Sequence, residues 1–444
     1  MLRARAASTR AGAPGWRRRG RLCGGLIAAL IGWWPAVASA EPDPLTLQAA
    51  LKLPSWMNLQ VAFSAEPLFN PVGGLEQTGA WVQQTSIDLE LSRGLSRDTS
   101  QWKELDHWAV NLSVNHTAGD NTYNSSVGAL FPLQNVAYPP GFWLTEATLE
   151  RQAGNGWLNA KAGILALNPD FIQVPILNLY VHASLNNTLN ITNNDLPVNP
   201  YSALGGVVNI KPSQDLSLRF GLYDLSSTLP LAQWLGVQPN LSAAGQGTTQ
   251  IVQIDYTGSG LAPRADQQLQ ACAQTWALVR NFPRCEQPTT VKNQLPGGLI
   301  SVGAFNSTDS NSGDGVYGSV TLRSGLPLGL DERVWIGASY SPNRDQDFAP
   351  TFVAGGLVVQ GPFPKRPLDL LVVGIGRAGL SSDADPFPTS SYEGMAELGY
   401  RVRLSETLQL QPTLQWIFNP SAPNDSGQPT PGILAAGLRI DLNF

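Results

Sequence analysis

The feature that most constrains this chain is the alternation of apolar and polar residues in segments of about ten. Residues 87–91 read Ile-Asp-Leu-Glu-Leu, and the same pattern returns at 216–222, 398–404 and 408–416. Successive side chains of a β-strand point to opposite faces, so each segment predicts a strand with one apolar and one polar face. Sixteen such segments can be marked, near residues 56–64, 80–92, 107–116, 142–151, 156–165, 202–211, 215–225, 249–256, 298–306, 314–323, 332–341, 352–360, 368–377, 391–404, 407–419 and 432–444.

Two architectures share this pattern: a soluble sandwich that buries the apolar faces, and a membrane barrel that turns them to lipid around a wet lumen. Many segments exceed the five to six residues usual for soluble strands. The chain has only 14% charged residues, against about 25% in a typical soluble protein. Aromatic residues are expected on the outer face near strand ends, at Trp81, Trp108, Trp143, Trp157, Tyr340, Tyr392 and Trp416. The pattern favours an all-β transmembrane antiparallel barrel of about sixteen strands, in contact with outer-membrane lipid.

The first 40 residues have the organisation of a cleaved signal peptide. Seven arginines precede an apolar stretch at 22–37, and Ala38-Ser39-Ala40 provides a small-residue cleavage site. The Arg18-Arg19 pair also permits twin-arginine export. Residues 41–55 are then expected to form a periplasmic segment with a short helix, and 56–444 the barrel. Only 21 of the 28 basic residues lie after residue 40, against 33 acidic ones, so the mature chain carries about −12 and nucleic acid is not an expected partner.

The mature chain keeps two cysteines, Cys272 and Cys285. In an exported protein this pair predicts a disulfide, and no nearby histidine supports a metal site instead. Both cysteines lie in the connection 257–297, which strand parity places on the periplasmic side although it is about 40 residues long. Residues 265–279 are interpreted as a short amphipathic helix; the alternative is a missed or surplus strand.

Strand parity predicts which charged side chains line the channel. The predicted lumen-facing residues are Glu146, Glu150, Lys161, Arg219, Arg377, Glu397, Arg401 and Arg403. Acidic and basic walls facing each other would create a transverse field and offer hydrogen bonds to a polyol; the alternative is that these charges only solvate the lumen or pair across strands. A lumen this wide needs an inward-folded loop to be selective. The candidate is 166–201, with Asp170 and many asparagines, which alternatively only stabilise turns.

Three segments together resemble the carbohydrate-selective porin family, the OprB-type glucose porins. They are Gly163-Ile164-Leu165-Ala166-Leu167-Asn168-Pro169-Asp170-Phe171, then Gly355-Gly356-Leu357-Val358-Val359-Gln360-Gly361-Pro362-Phe363 with Arg366-Pro367-Leu368-Asp369, and the run from Glu397-Leu398-Gly399-Tyr400-Arg401 to Asn419-Pro420. The resemblance implies a sixteen-stranded outer-membrane channel of a Gram-negative bacterium that passes monosaccharides and needs no cofactor. The terminal Phe444 is of the kind that the barrel-assembly machinery receives. Whether the barrels form a homotrimer stays open.

Three other functions compete with a sugar channel. An outer-membrane enzyme needs a nucleophile beside a base, and the three histidines, His107, His116 and His182, show no matching serine arrangement. A channel for cations or small organic acids remains an alternative, whereas an anion channel is disfavoured by the acidic balance. A barrel with a plugged lumen is the third possibility.

Overall fold

The computed structural model describes residues 47–54, 56–93, 107–153, 156–172, 174–186, 196–225, 247–258, 260–262, 268–270, 290–292, 295–308, 313–326, 330–344, 347–383, 389–405 and 407–444. The predicted signal peptide at 1–40 and both cysteines lie outside these ranges. The cleavage and the disulfide therefore stay predictions.

Strands make up most of the described chain. Their bounds are β1 (Met57–Val72), β2 (Gly79–Arg93), β3 (His107–Gly119), β4 (Gly141–Ala153), β5 (Leu158–Leu165), β6 (Ala203–Ile210), β7 (Leu216–Asp224), β8 (Thr248–Tyr256), β9 (Gln268–Gln270), β10 (Thr290–Lys292), β11 (Leu299–Ser307), β12 (Gly315–Leu322), β13 (Asp331–Tyr340), β14 (Thr351–Gln360), β15 (Leu370–Gly379), β16 (Tyr392–Arg403), β17 (Leu408–Phe418) and β18 (Ile433–Asn443). The helical pieces are α1 (Leu47–Ala50), α2 (Tyr123–Val127), a 3₁₀ helix (Pro175–Leu179) and α3 (Ala183–Asn186). No helix in the described ranges is long and apolar enough to cross a membrane.

Sixteen of the described strands form one closed barrel, and β9 and β10 pair separately with each other. Each barrel strand runs antiparallel to its neighbours, and β1 closes the sheet against β18 with Ala65 opposite Ile440. All sixteen predicted segments coincide with these strands. We call the end where β1 begins and β18 ends the terminal rim, and the opposite end the loop rim. The sixteen-stranded antiparallel barrel predicted from the alternation is thus confirmed.

The two faces of the barrel wall differ as the alternation requires. On the outer face, Ile375 and Ile336 are 61% and 57% exposed, whereas Gln415 and Asp441 on the inner face are 0% and 4% exposed. An apolar face of this kind is unfavourable in water and favourable against hydrocarbon. Trp81, Trp108, Trp157, Tyr340 and Trp416 belong to the exposed set, as predicted.

Trp143 is the exception among the predicted outer aromatics, and that prediction is wrong. The β3–β4 register shifts at Thr145, because Leu144 pairs with Val114 and Glu146 with Ser113. A β-bulge inserts one residue and so reverses which side chains share a face. Trp143 consequently points inward, is 4% exposed, and donates from Nε1 to Thr117 Oγ1 at 2.9 Å. Glu146, beyond the bulge, also faces inward.

Arg377 is a second correction. It was expected to line the lumen, but it shares the outer face of β15 with Val373 and Ile375, and its guanidinium carbon lies 4.6 Å from the centre of the Tyr392 ring. The strand alternates small inner residues such as Gly374 and Gly376 with larger outer ones, so parity places Arg377 outside. At this strand end a cation next to an aromatic ring is stabilised without entering the hydrocarbon region.

The terminal rim carries the connection between β8 and β11, the long one that parity had placed on this side. The prediction of a helix over 265–279 is wrong at Gln268–Gln270, because these residues form β9 and pair with β10. The barrel count of sixteen is unaffected by this ribbon, so no barrel strand was missed or added there. Before β1, α1 is a single turn of four residues, and the short helix predicted for the segment 41–55 is not confirmed by it.

The outer face provides a stability test. Ile375→Arg places a charge near the middle of β15 on the apolar face, and we expect it to lower the free energy of unfolding in lipid vesicles by about 2–4 kcal/mol. Ser113→Arg, on the inner face of β3 and opposite Asp88 and Glu146 in the register, is the matched control and should cost close to zero. Equal effects of both substitutions, measured by denaturant titration in vesicles, would contradict the assignment of the outer face to lipid.

Candidate functional site

Two connections at the loop rim fold into the barrel. The first, 166–202, contains the predicted loop 166–201 and buries Phe171, Ile176 and Tyr180 completely. The other, 120–140, was not singled out from the sequence, yet it contains α2 and buries Tyr123 and Leu133. Both belong to one apolar cluster with inner-face residues of the wall. The lumen is therefore narrowed by a packed interior and is not an open cylinder.

The 166–202 connection leaves β5 and reaches the far wall of the barrel at Tyr180. The Tyr180 hydroxyl donates to the Val373 carbonyl oxygen at 2.9 Å and accepts from Trp335 Nε1 at 2.7 Å. Its ring occupies space that a glycine leaves open, because a Cβ at Gly374 would lie 2.5 Å from Tyr180 Cε1. The loop is thus fixed at its centre and not only at its two ends.

A polar cavity of about 190 Å³ remains between the two connections and the wall formed by β18, β1 and β2. We call this cavity the eyelet. It is lined by Ala62, Ser64, Gln84, Ser86, Asn135, Val136, Tyr138, Asn168, Asn178, Asn186, Asn199 and Arg439. Five of these residues are asparagines, and among the described residues of the lining Arg439 is the one that is charged.

Some amide side chains of the eyelet already form hydrogen bonds within the protein. Asn168 Oδ1 accepts from the Asn199 backbone N–H at 2.8 Å, and Asn186 Nδ2 donates to the Tyr180 carbonyl oxygen at 2.5 Å. Asn178 is exposed to the cavity, and Asn135 is half-buried. An amide presents both donors and an acceptor. The lining is therefore suited to an uncharged solute with many hydroxyl groups.

On one side of the eyelet, four residues predicted from the sequence come together. Lys161 Nζ lies 3.3 Å from Glu146 Oε1 and 2.8 Å from Asp170 Oδ2. Arg219 donates to the Asp170 carbonyl oxygen and pairs with Asp255 at 2.8 Å. Burial raises the pKa of Asp170, although Lys161 opposes the shift. These ion pairs fasten the start of the 166–202 connection to β5, β7 and β8.

On the other side, the charges belong to β16, β18 and β1. Arg439 Nε lies 2.8 Å from Asp441 Oδ1 and 3.7 Å from Glu66 Oε1. Arg401 Nη2 lies 3.0 Å from Asp441 Oδ2 and also donates to Gln409. Ser64 Oγ donates to Asp441 at 2.5 Å. Arg401 faces the lumen as predicted, but it does not line the eyelet.

The expectation of an acidic wall facing a basic wall is wrong. Each cation is paired with carboxylates on its own side of the lumen, because side chains on adjacent strands come within about 5 Å of one another and can pair directly. The alternative interpretation, in which the predicted charges pair across strands, describes Lys161, Arg219 and Arg401 correctly.

The remaining predicted residues have other positions. Glu150 accepts from Asn111 Nδ2 at 2.9 Å and from Asn159 on the inner wall. Glu397 is buried and accepts two backbone N–H groups of the 166–202 connection. Arg403 lies on the inner face at the terminal rim, where its backbone N–H donates to Asp369 Oδ1 at 3.0 Å.

Arg439 and the amides of 120–140 were not among the predicted site residues. For Arg439 the signal was present, since it alternates with Leu438 and Ile440 in the terminal strand. For Asn135 and Tyr138 no periodic signal exists, because a loop has no face. His182 is fully buried in the 166–202 connection, and burial lowers its pKa to about 3, so its ring stays neutral at ordinary pH. Within the described ranges no group of His, Cys, Asp and Glu is placed to hold a metal ion.

Comparisons with known proteins agree with this geometry. A family model for the carbohydrate-selective porins, OprB family, matches residues 77–444. The high-pH structure of Pseudomonas putida OprB is similar with a TM-score of 0.67, at 16% identity over 87% of this chain and 94% of that one. The low-pH structure of the same protein gives a TM-score of 0.52, at 14% identity over 91% and 100% of the two chains.

At these identities the two structures support the fold alone, and no curated protein matches the chain by sequence. The family model covers most of the chain, including every barrel strand from β2 to β18. The chain therefore belongs to the OprB family of carbohydrate-selective porins and forms an outer-membrane channel for the diffusion of sugars.

Proposed function

We propose that the eyelet is the constriction of this channel and that it passes neutral monosaccharides one at a time. The observation that carries the proposal is the lining itself: five asparagines, two serines and Tyr138 surround the cavity, and its one arginine is paired with carboxylates. Every hydroxyl of a sugar both donates and accepts a hydrogen bond. Amide and hydroxyl side chains do the same and replace the water that the sugar leaves behind.

Two asparagines are the best candidates for direct contact with the sugar. The side chains of Asn135 and Asn178 have no hydrogen-bond partner among the residues that the structure describes, and both line the eyelet. Asn168 and Asn186 hold the 166–202 connection through one side-chain hydrogen bond each, and Asn199 Oδ1 is buried without a hydrogen-bond partner in the described part of the chain. Tyr138 adds an aromatic face, against which the apolar face of a pyranose ring can lie.

The charge balance favours a neutral solute over an ion. The positive charge of Arg439 is offset by Asp441 and Glu66, so an organic anion finds no unpaired cation among the lining residues that the structure describes. A channel for small cations or organic acids is the alternative function. The acidic balance of the mature chain keeps the cationic version of that alternative open.

We extend the proposal to the export, the orientation in the membrane and the assembly of the channel. Residues 1–40 direct export and are removed, 41–55 lie in the periplasm, and the terminal rim faces the periplasm of a Gram-negative cell. Phe444 presents the last strand to the barrel-assembly machinery, and lipid surrounds the outer face. The channel carries out no covalent reaction. Assembly as a homotrimer and the Cys272–Cys285 disulfide are further proposals of this setting.

The first prediction concerns the solute. Liposomes that contain the full mature chain should swell faster in glucose than in glucuronate, which has nearly the same size but carries a negative charge. Glucosamine, a cation at mildly acidic pH, tests the alternative. Swelling in glucosamine or glucuronate at or above the glucose rate would contradict the proposal that the channel prefers neutral sugars.

A second prediction concerns the amides. Asn178→Leu removes hydrogen bonds worth about 0.5–1.5 kcal/mol each, so glucose flux should fall roughly twofold to tenfold. The conservative Asn178→Gln keeps the amide and should retain most of the flux. Chloride and potassium conductance should change little in either variant. Equal glucose flux in the leucine and glutamine variants would remove Asn178 from the solute path.

A third prediction concerns charge. Arg439→Met leaves Asp441 and Glu66 without their nearest cation, so the eyelet becomes more negative and the permeability ratio of potassium to chloride should rise. The reversal potential in a potassium chloride gradient measures this ratio. A shift toward chloride, or no shift in a variant that folds, would contradict the placement of Arg439 at the constriction.

A further inference from the structure

The inner wall formed by β16 and β17 binds the backbone of the 166–202 connection through two side chains. Glu397 Oε1 accepts from the Val181 N–H at 2.8 Å, and Oε2 accepts from the His182 N–H at 2.7 Å. Gln411 Nε2 donates to the Leu179 carbonyl oxygen at 2.8 Å. The carboxylate thus accepts from two backbone N–H groups and the amide donates to a backbone carbonyl oxygen, all within four consecutive loop residues. We call Glu397 and Gln411 the first clamp.

The same arrangement occurs a second time for the 120–140 connection. Glu393 accepts from the Leu130 N–H at 2.9 Å and from the Ser421 N–H at 2.9 Å. Gln415 Nε2 donates to the Leu133 carbonyl oxygen at 2.9 Å. We call Glu393 and Gln415 the second clamp. Both clamps use a glutamate of β16 and a glutamine of β17.

The spacing of the clamps follows from the strands. The two glutamates are four residues apart on β16, and the two glutamines are four residues apart on β17. Residues four apart on a strand lie on the same face, so both glutamates and both glutamines face inward, and the members of each kind are roughly 13 Å apart along their strand. Glu397 lies directly opposite Gln415 in the register. A rigid sheet therefore holds the two loops at two fixed heights in the lumen.

The clamped loop segments adjoin the eyelet amides. Asn178 precedes Leu179, which Gln411 holds, and Asn186 donates to the carbonyl oxygen of Tyr180, next to the residues held by Glu397. On the 120–140 connection, Asn135 follows Gln134 and precedes Val136, and the Val136 N–H donates to Glu66 Oε2 at 3.1 Å. Each clamp contact except that with Ser421 is within five residues of an amide that lines the cavity.

The clamp side chains do not line the eyelet themselves. Glu393 and Gln415 are 0% exposed, Gln411 is 1% exposed and Glu397 2%. Irregular backbone buried inside a barrel must find hydrogen-bond partners, and a carboxylate is a strong acceptor for a pair of N–H groups. Their place in the structure is therefore between the wall and the loops, and not between the wall and a solute.

We propose that the two Glu–Gln clamps are positioning residues that set the aperture of the channel and hence its discrimination by solute size. The inference rests on the proposed function of the eyelet and adds the residues that hold its two loops in position. Loosening a clamp removes one set of contacts between a loop and the wall, lets the nearby eyelet amides move apart, and widens the path without changing the chemistry of its lining.

The test is Glu397→Gln in the full mature chain, reconstituted in planar bilayers and liposomes. The glutamine accepts only one of the two N–H groups and turns its own NH₂ group toward the other. We expect a single-channel conductance roughly twice that of the unmodified chain and a higher ratio of sucrose to glucose swelling rates. Glu397→Asp keeps the carboxylate on a shorter stem and should restore part of the discrimination.

Gln411→Leu is the second variant, because it releases the same loop without altering any charge, and it should act in the same direction. Thr413→Val is the matched control: Thr413 lies on the same strand and face between the two glutamines, and its hydroxyl has no hydrogen-bond partner in the described part of the chain. It should leave conductance and swelling ratio unchanged. Folding of each variant is checked by its heat-modifiable mobility on gels.

Glu397→Gln or Gln411→Leu channels that fold, yet keep the conductance and the sucrose-to-glucose ratio of the unmodified chain, would overturn the clamp proposal. A change of equal size in Thr413→Val would do so too. Failure of the proposed sugar selectivity is detected separately, because it shows in the unmodified chain as a lack of preference for glucose over glucuronate.

Discussion

Closure of the sheet between β1 and β18 is the constraint on which the rest of the structure depends. In hydrocarbon no water is available to an unpaired N–H or C=O group, so a strand-built membrane protein must pair every edge. Here the pairing of β1 with β18 removes the last edges. Once the ring is closed, the apolar residues of each strand face the lipid and the polar residues that alternate with them face the lumen. The number of strands then determines how wide the lumen is.

A lumen of that width needs an interior, and two connections from the loop rim provide it. They bring apolar residues into the barrel, and these pack against inner-face residues such as Trp335 and glycine-lined wall positions such as Gly374. Their backbone polar groups are satisfied by side chains of the wall, in particular Glu393 and Glu397. A small polar cavity, the eyelet, is left at one side of the barrel between these connections and the wall of β18, β1 and β2.

The charged side chains inside the barrel form ion pairs that join neighbouring strands and loops. Lys161 and Arg219 bind the carboxylates beside them, and Arg439 and Arg401 do the same on the other side. Local neutralisation lowers the cost of keeping charges half-buried. Amides and hydroxyls make up most of the polar lining of the eyelet, which agrees with the carbohydrate-selective family to which the chain belongs.

The sequence by itself determined the barrel, because strand alternation is a local property that repeats every two residues. It placed all sixteen barrel strands, the inner position of Glu146, Lys161, Arg219, Glu397 and Arg401, and the inward loop that contains Asp170. Where the period was broken by the bulge at Thr145, it placed Trp143 on the wrong face, and it assigned Arg377 to the wrong side of β15. Only the tertiary structure decided which loop residues surround the opening and which cation pairs with which carboxylate. Asn135, Asn178 and Arg439 are distant in the chain, and no local period relates them, so their meeting depends on the closed sheet and on the loops packed inside it.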